Sequence, residues 1–217
     1  SNVLYEADVK VDDGVPNNHC TLDTCLSYLA NAGTRWAYHN APYTLLESVI
    51  TKATGNPINA YTQTKLKTKT GMTGAWAYVD YDNVFFSKAR SMARFGLLMQ
   101  NNCVWNNDTL LYDSTYIKQM INTSQTHNLS YGYLWWLNGK SSFIIPGEQK
   151  VNQGFLVPNA PADMYTAMGA KDQRIYVIPS KKMVIVRMGE ASDPTNINFA
   201  VSGFDNELWA KINAVIK

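Results

Sequence analysis

Tyr38 and Asn40 are separated by one residue just ahead of a predicted helix, and their side chains are suited to chemistry. An amide donates a hydrogen bond without titrating. A phenol is protonated at neutral pH, with a pKa of about 10, and becomes a base only beside a cation. The spacing alone favours a structural interpretation, in which Tyr38 packs ahead of the helix and Asn40 caps it.

Other catalytic patterns are scarce in this sequence. The sequence has no Gly-x-Ser-x-Gly elbow, no glycine-rich phosphate loop, no His-Glu-x-x-His and no Ser-x-x-Lys. Thr-x-x-Lys does occur, and solvated lysines on surface helices are the favoured interpretation of Thr62/Lys65, Thr64/Lys67 and Thr115/Lys118. The sequence therefore shows no evident nucleophile, and it predicts neither a metal nor a cofactor.

The composition indicates a globular protein of one domain or two small ones. Of its 217 residues, 46% are hydrophobic and 17% are charged, which argues against disorder. The net charge of +2 is scattered along the chain, so nothing predicts binding to nucleic acid. Its apolar runs are far shorter than the roughly 20 residues of a transmembrane helix.

Three cysteines, Cys20, Cys25 and Cys103, make no metal-binding pattern with the histidines. A bridge between Cys20 and Cys25 is compatible with the sequence, but free or buried thiols are the favoured interpretation. The first two residues, Ser-Asn, resemble the remnant of tag cleavage or the start of a trimmed fragment. The lack of a leader therefore says nothing about export.

Capping signals and apolar spacing predict helices in the first part of the chain. The clearest helix carries Pro42 in its first turn and ends at Gly55. Other helices are expected to begin near four residues and to be shorter, namely Thr21 (to about Ala30), Pro57 (to about Leu66), Ser87 and Ser114 (to about Ile121).

The later part of the chain changes to short runs of aromatic and branched residues, which are typical of strands. These runs are residues 131–137, 164–168, 174–178 and 183–188. An amphipathic helix is expected to close the chain from Phe199. The order predicts an α+β fold. Only about three strands are expected in the final sheet, and such a small sheet suggests that part of the fold precedes the chain.

Five stretches of the sequence resemble the class C β-lactamases, their esterase relatives and the 6-aminohexanoate-oligomer hydrolases, within the β-lactamase and penicillin-binding-protein superfamily. They occur in the order that this family has, at residues 32–46, 54–57 with 70–72, 87–96, 131–136 and 173–179. The resemblance implies a helical subdomain packed on an antiparallel sheet that is flanked by helices and closed by a C-terminal helix. It also implies that the Ser-x-x-Lys segment and the first strands lie upstream of residue 1.

The resemblance assigns roles to the remaining catalytic elements. It implies that Tyr38 helps to shuttle the proton of the missing serine and that Asn40 donates its amide to the substrate. The third element, commonly Lys-Thr-Gly, corresponds to a stretch that includes Gly169, Ala170 and Lys171 as candidates for the oxyanion and substrate contacts. Lys171 either binds an acidic group of the substrate or faces water. The missing Lys-Thr-Gly favours an esterase, amidase or peptidase-like member over a dedicated β-lactamase.

The resulting expectation is a mostly helical subdomain over residues 1–125 with the Tyr-x-Asn motif, and later strands with the closing helix over 126–217. The parent protein is expected to be a periplasmic or extracellular serine hydrolase that cleaves a small amide, ester or peptide (a β-lactam among them) through an acyl-enzyme. This chain alone is expected to be inactive and to need the missing N-terminal segment. The alternatives are a catalytically silent penicillin-binding-like sensor or binding module, and a fragment that is stable only with its partner. The groove is expected to lie between Tyr38, Asn40 and residues 168–171.

Overall fold

The fold is described from a computed structural model, which covers residues 20–26, 28, 30–146, 149–193 and 203–216. By their contacts these residues form two units. The first contains the described residues up to Lys88 together with 145, 146, 149 and 150, and the second contains 89–144, 151–193 and 203–216. The subdomain boundary expected at residue 125 stays a prediction.

Helix α1 (Asn40–Thr54) confirms the clearest prediction from the sequence. It ends where Gly55 takes a left-handed φ of 69° and donates its N–H to the carbonyl oxygen of Thr51. His39 occupies the N-cap position and Asn40 is already helical, so Asn40 is not the cap that the structural interpretation expected.

The helical segment after Pro57 is longer than predicted. It consists of α2 (Ile58–Thr62), a wide π-helical turn (Gln63–Lys67) and α3 (Thr68–Thr70), and it stops at Gly71 with a φ of 69°. A chain that passes through such a wide turn departs from the regular helical period, which explains why the apolar pattern fades near Leu66.

A β-hairpin that the sequence analysis missed completes the first unit. Strands β1 (Ala75–Val79) and β2 (Asp82–Phe86) pair in antiparallel register. The Asn59 side chain bonds both the N–H and the carbonyl oxygen of Trp76, at 2.8 and 2.9 Å, and so satisfies the edge of β1. The hairpin carries Asp82 at the start of β2, and α1 packs against this strand.

The second unit is built on a four-stranded antiparallel sheet. Its strands are β5 (Trp136–Leu137), β8 (Tyr165–Gly169), β9 (Gln173–Ile178) and β10 (Met183–Arg187). Their order across the sheet is β10-β9-β8-β5. Four strands replace the three expected. The predicted strand over 131–137 is wrong for most of its length, because Tyr131 folds back to bridge Trp136.

Three helices belong to the second unit: α4 (Ala89–Gln100), α5 (Ser114–Met120) and α6 (Gly203–Val215). Asp113, rather than Ser114, caps α5, since its carboxylate accepts the N–H of Tyr116 at 2.8 Å. The predicted start of α6 at Phe199 lies outside the described residues.

Two small hairpins complete the unit, β3 (Val104–Trp105) with β4 (Asp108–Thr109) and β6 (Ser142–Phe143) with β7 (Asn152–Gln153). The observed helices, antiparallel sheets and C-terminal helix confirm the α+β class.

The cysteines correct another expectation. The structure pairs Cys20 with Cys25 in a disulfide, where the sequence favoured free thiols. Where a short helix was expected from Thr21 to about Ala30, the described residues contain a 3-10 turn, Asp23–Cys25, inside that loop. Cys103 keeps a free, buried thiol.

At Gly96 the helix α4 packs closely against the sheet. A methyl group at this position would lie 2.4 Å from Val184 Cγ1 and 3.0 Å from Ile175 Cγ2. We expect Gly96→Ala to lower the free energy of unfolding by about 1–3 kcal/mol, because the strands must move away from the helix. Urea denaturation measures this change. Gly203→Ala is the matched control, since a methyl group there meets no atom within 4 Å, and an equal loss in both variants would contradict the packing argument.

Candidate active site

Tyr38 lies in the extended segment that leads into α1, half-buried, with its ring centroid 6.4 Å from that of Trp36. The segment is held in place by Gln149, whose side-chain amide donates to the carbonyl oxygen of Trp36 at 3.0 Å. Burial, and after it the nearby Asp82 carboxylate, raise the pKa of the Tyr38 phenol. The phenol is therefore neutral at physiological pH in these surroundings.

Asp82 also influences a second phenol. Tyr43, on the first turn of α1, has its pKa raised to about 12 by burial and then by Asp82. The hairpin thus brings a carboxylate to the start of α1, next to the Tyr-x-Asn motif. Asp82 was not among the predicted site residues because it comes 44 positions after Tyr38, in a hairpin that was not predicted.

The raised pKa of the Tyr43 phenol predicts that the folded chain loses stability at high pH. The pKa of Tyr43 is about 12 in the folded chain and 10.0 when unperturbed, so the unfolded chain loses this proton first as the pH rises above 10. The stabilising contribution is complete below pH 10 and disappears towards pH 12. Urea midpoints measured from pH 9 to 11 are expected to fall less steeply for Tyr43→Phe than for the parent chain. Parallel curves would contradict this assignment.

Asn40 is the first residue of α1 and is half-buried. His39, between the two motif residues, is also half-buried. The two residues predicted from the motif therefore lie together at the start of one helix in the first unit.

Gly169, Ala170 and Lys171 lie in the second unit, where β8 turns into β9. Gly169 is the last residue of β8 and pairs with Gln173. Lys171 and Asp172 both have left-handed φ angles, 54° and 55°, and the N–H of Gln173 donates to the carbonyl oxygen of Ala170. We call this segment, residues 169–172, the hairpin tip.

Side-chain donors hold the carbonyl oxygens of the hairpin tip. Arg174 Nη1 donates to the Gly169 oxygen at 2.8 Å. Arg187 Nη1 donates to the Lys171 oxygen at 2.7 Å, and Gln173 Nε2 donates to the same oxygen at 2.8 Å.

The side chain of Lys171 pairs with Glu190 at 3.4 Å in an exposed position, with half of the lysine side chain accessible to solvent. Such a surface pair contributes little to stability.

Arg174 is the centre of a buried ionic network that the sequence analysis missed. Its Nε and Nη2 bind the two oxygens of Asp205 at 2.7 and 3.0 Å, and Nη2 also binds Asp172 at 3.0 Å. Ser192 donates its N–H and its hydroxyl to Asp172, at 2.8 and 2.7 Å. The Tyr176 hydroxyl donates to Asp205 at 2.5 Å. The network joins the hairpin tip, β9, the segment after β10 and α6.

The charges in this network compensate each other. Burial alone would lower the pKa of the Arg174 guanidinium, but the Asp205 carboxylate outweighs it and the net pKa is raised. Burial and then Asp205 raise the pKa of the Tyr176 phenol. The charged arginine and the neutral phenol are thus the stable forms at neutral pH.

The predicted site residues therefore form two groups, Tyr38 with Asn40 in the first unit and residues 169–171 in the second. The groove expected between them stays a prediction. Within the described part of the chain, no group of three or more His, Cys, Asp or Glu side chains could hold a metal ion. Over the same residues, none of the helices combines the length and the apolar character needed to cross a membrane.

Solved structures show where this fold occurs. A protein from Bacillus anthracis assigned as a 6-aminohexanoate-dimer hydrolase superposes with a TM-score of 0.61 at 19% identity, over 87% of this chain and 45% of that one. A protein from Bacteroides dorei DSM 17855 assigned as a β-lactamase gives a TM-score of 0.59 at 15% identity, over 99% and 65%. A penicillin-binding protein from Bacillus halodurans gives a TM-score of 0.50 at 16% identity, over 86% and 58%.

The chain thus spans between 45% and 65% of the length of these structures. No curated protein matches the sequence significantly. The family model for β-lactamases, however, matches residues 24–197, which is most of the chain, and it agrees with the resemblance of the five motif stretches. The chain belongs to the β-lactamase family.

Proposed function

We propose that this chain contributes part of the active site of a serine hydrolase that cleaves amide or ester bonds through an acyl-enzyme. Family membership carries the proposal. The position of Tyr38 and Asn40 at the start of α1 is compatible with it, since the beginning of a helix packed on a hairpin is a rigid support for two polar groups. The missing Lys-Thr-Gly favours ester, amide or peptide substrates over β-lactams.

The proposed chemistry uses protein groups only. Tyr38 relays the proton between the serine and the leaving group, and Asn40 donates its amide to the substrate. The main chain of Gly169 and Ala170 stabilises the oxyanion, with Lys171 at its edge. Because burial and Asp82 raise the pKa of Tyr38, the relay requires a cation close to the phenol, and the lysine of a Ser-x-x-Lys segment would supply it.

The nucleophile is proposed to come from a segment outside these 217 residues, because Ser-x-x-Lys does not occur in them. Labelling with a serine-directed fluorophosphonate, followed by intact-mass analysis, tests this directly. We expect no adduct on the chain alone, and a stoichiometric adduct on the longer product encoded by the genomic sequence. Stoichiometric labelling of the chain alone would overturn the proposal.

A catalytically silent sensor or binding module is the second candidate. The carboxylate of Asp82 beside Tyr38 favours it, because an anion opposes the deprotonation that a base must undergo. If the genomic sequence upstream carries no Ser-x-x-Lys, this candidate replaces the hydrolase. Saturable binding of a cell-wall peptide without turnover would then be its signature.

We propose a periplasmic or extracellular location. The disulfide between Cys20 and Cys25 supports it, because disulfides persist mainly in oxidising compartments. The partners proposed for the site are a small-molecule substrate and the N-terminal segment of the same protein.

A further inference from the structure

Arg174 reaches two parts of the second unit at once. One edge of its guanidinium binds Asp205 on α6, and Nη1 on the other side donates to the Gly169 oxygen at 2.8 Å and to the Gln173 oxygen at 3.1 Å. The side chain is fully buried. A planar guanidinium that is held at one edge presents its other donors in fixed directions.

A held carbonyl also fixes the adjacent N–H. The peptide bond between Gly169 and Ala170 is trans, as is every peptide bond in the described residues. In a planar trans peptide the carbonyl and the N–H point in opposite directions. Because Arg174 binds the Gly169 oxygen, the N–H of Ala170 points away from the guanidinium.

The hairpin tip is held from outside by side chains of the buried network. Lys171 and Asp172 adopt left-handed φ angles of 54° and 55°, which carry a steric cost for residues other than glycine. Asp172 is drawn into the buried network by Arg174 and Ser192, so the same guanidinium holds the tip at both ends.

We propose that Arg174 is a positioning residue that, anchored by Asp205, orients the Gly169–Ala170 peptide so that the Ala170 N–H points away from the guanidinium and is presented for donation to a substrate. This inference rests on the proposed function, since it assumes that the tip contacts substrate. Arg174 itself touches no reacting atom. The C-terminal helix α6 thereby becomes part of the support of the site.

The test compares Arg174→Lys with Tyr176→Phe in the 217-residue chain by amide nuclear magnetic resonance. Lysine keeps the charge but cannot bridge Gly169 and Asp205, whereas Tyr176→Phe removes one donor to Asp205 and leaves the guanidinium in place. Both variants are expected to lower the thermal midpoint. Only Arg174→Lys is expected to shift the Ala170 amide resonance strongly and to speed hydrogen exchange of the Gln173 amide, by about tenfold or more.

If the ionic network as a whole, rather than the guanidinium of Arg174, orients the peptide, both variants disturb the Ala170 amide equally, and that result overturns the inference. If Arg174→Lys does not fold, the unaltered chain decides the question. Slowly exchanging Arg174 guanidinium protons with Overhauser contacts to the Gly169 α-protons support the inference, and their absence contradicts it. None of these spectra requires a substrate or a nucleophile. Stoichiometric fluorophosphonate labelling of the chain alone would therefore refute the proposed function without affecting this result.

Discussion

Replacing Arg174 by methionine is expected to lower the free energy of unfolding by about 3–5 kcal/mol. Methionine fills much of the same volume but leaves the carboxylates of Asp205 and Asp172 buried without their cation, at 1% and 7% side-chain exposure. Removing one partner of a buried pair costs more than the pair contributes, because the remaining charge is neither solvated nor compensated. Urea unfolding at neutral pH, followed by tryptophan fluorescence, measures the loss.

Arg187→Met is the matched control for this experiment. Arg187 also donates to the hairpin tip, but it is only half-buried, binds main-chain oxygens rather than a carboxylate, and lies 5.2 Å from the centre of the Phe204 ring. Its loss is expected to be about 1 kcal/mol. Comparable losses in the two variants would show that the buried carboxylates are not the cause. Arg174→Met combined with Asp205→Leu should recover part of the stability, since the uncompensated charge on α6 is then gone.

Under the proposed function, Tyr38→Phe is expected to slow acylation by about 10²–10⁴-fold in a longer product that includes a Ser-x-x-Lys segment. The change removes only the hydroxyl, so the packing of the ring against Trp36 remains. An effect of this size is typical when a positioned proton-transfer group is lost. Single-turnover reaction with an activated ester, followed by the release of its leaving group, measures the rate.

Tyr43→Phe is the control for Tyr38→Phe, because both phenols have pKa values raised by burial and by Asp82. Only Tyr38 belongs to the Tyr-x-Asn motif. We expect acylation by Tyr43→Phe to stay within a few-fold of the parent rate. Equal losses of rate in the two variants would indicate that the two phenols affect acylation in the same way and that Tyr38 has no special role.

Local signals in the sequence were sufficient for the elements whose ends are marked by special residues. Pro42 and Gly55 bracket α1 because one suits a first helical turn and the other suits a left-handed C-cap. Strands β9 and β10 were likewise predicted, as the runs 174–178 and 183–188, and the structure places Pro179 and Lys182 in the turn between them.

The missed hairpin β1–β2 shows where such signals fail. Its strands carry apolar residues on both faces, and Val79 and Phe86 are 54% and 53% exposed, so no alternation of apolar and polar residues distinguishes it. Asp80, with a φ of 54°, marks the turn. An aspartate at a left-handed turn position between two aromatic runs was the available signal.

Candidate site residues could be named only where a short stretch of sequence resembles a known motif. Tyr38 and Asn40 lie two positions apart, and the resemblance of the surrounding stretch to the family, rather than their spacing, made them candidates. Arg174 and Asp205 are 31 residues apart, and each taken alone reads as an ordinary charged residue. The remaining clue was an arginine within an otherwise apolar strand, because a buried cation requires a partner, although the strand itself does not identify that partner.

The ionic network around Arg174 also constrains which substitutions this sequence can accept during evolution. A change at position 174, 172 or 205 made alone leaves a buried charge without its counterpart. Substitutions that preserve stability must therefore change β9 and α6 together. A change in one of these elements alone gives a variant that folds poorly. These positions should covary among homologues, whereas an exposed pair such as Lys171 and Glu190 is free to change one member at a time.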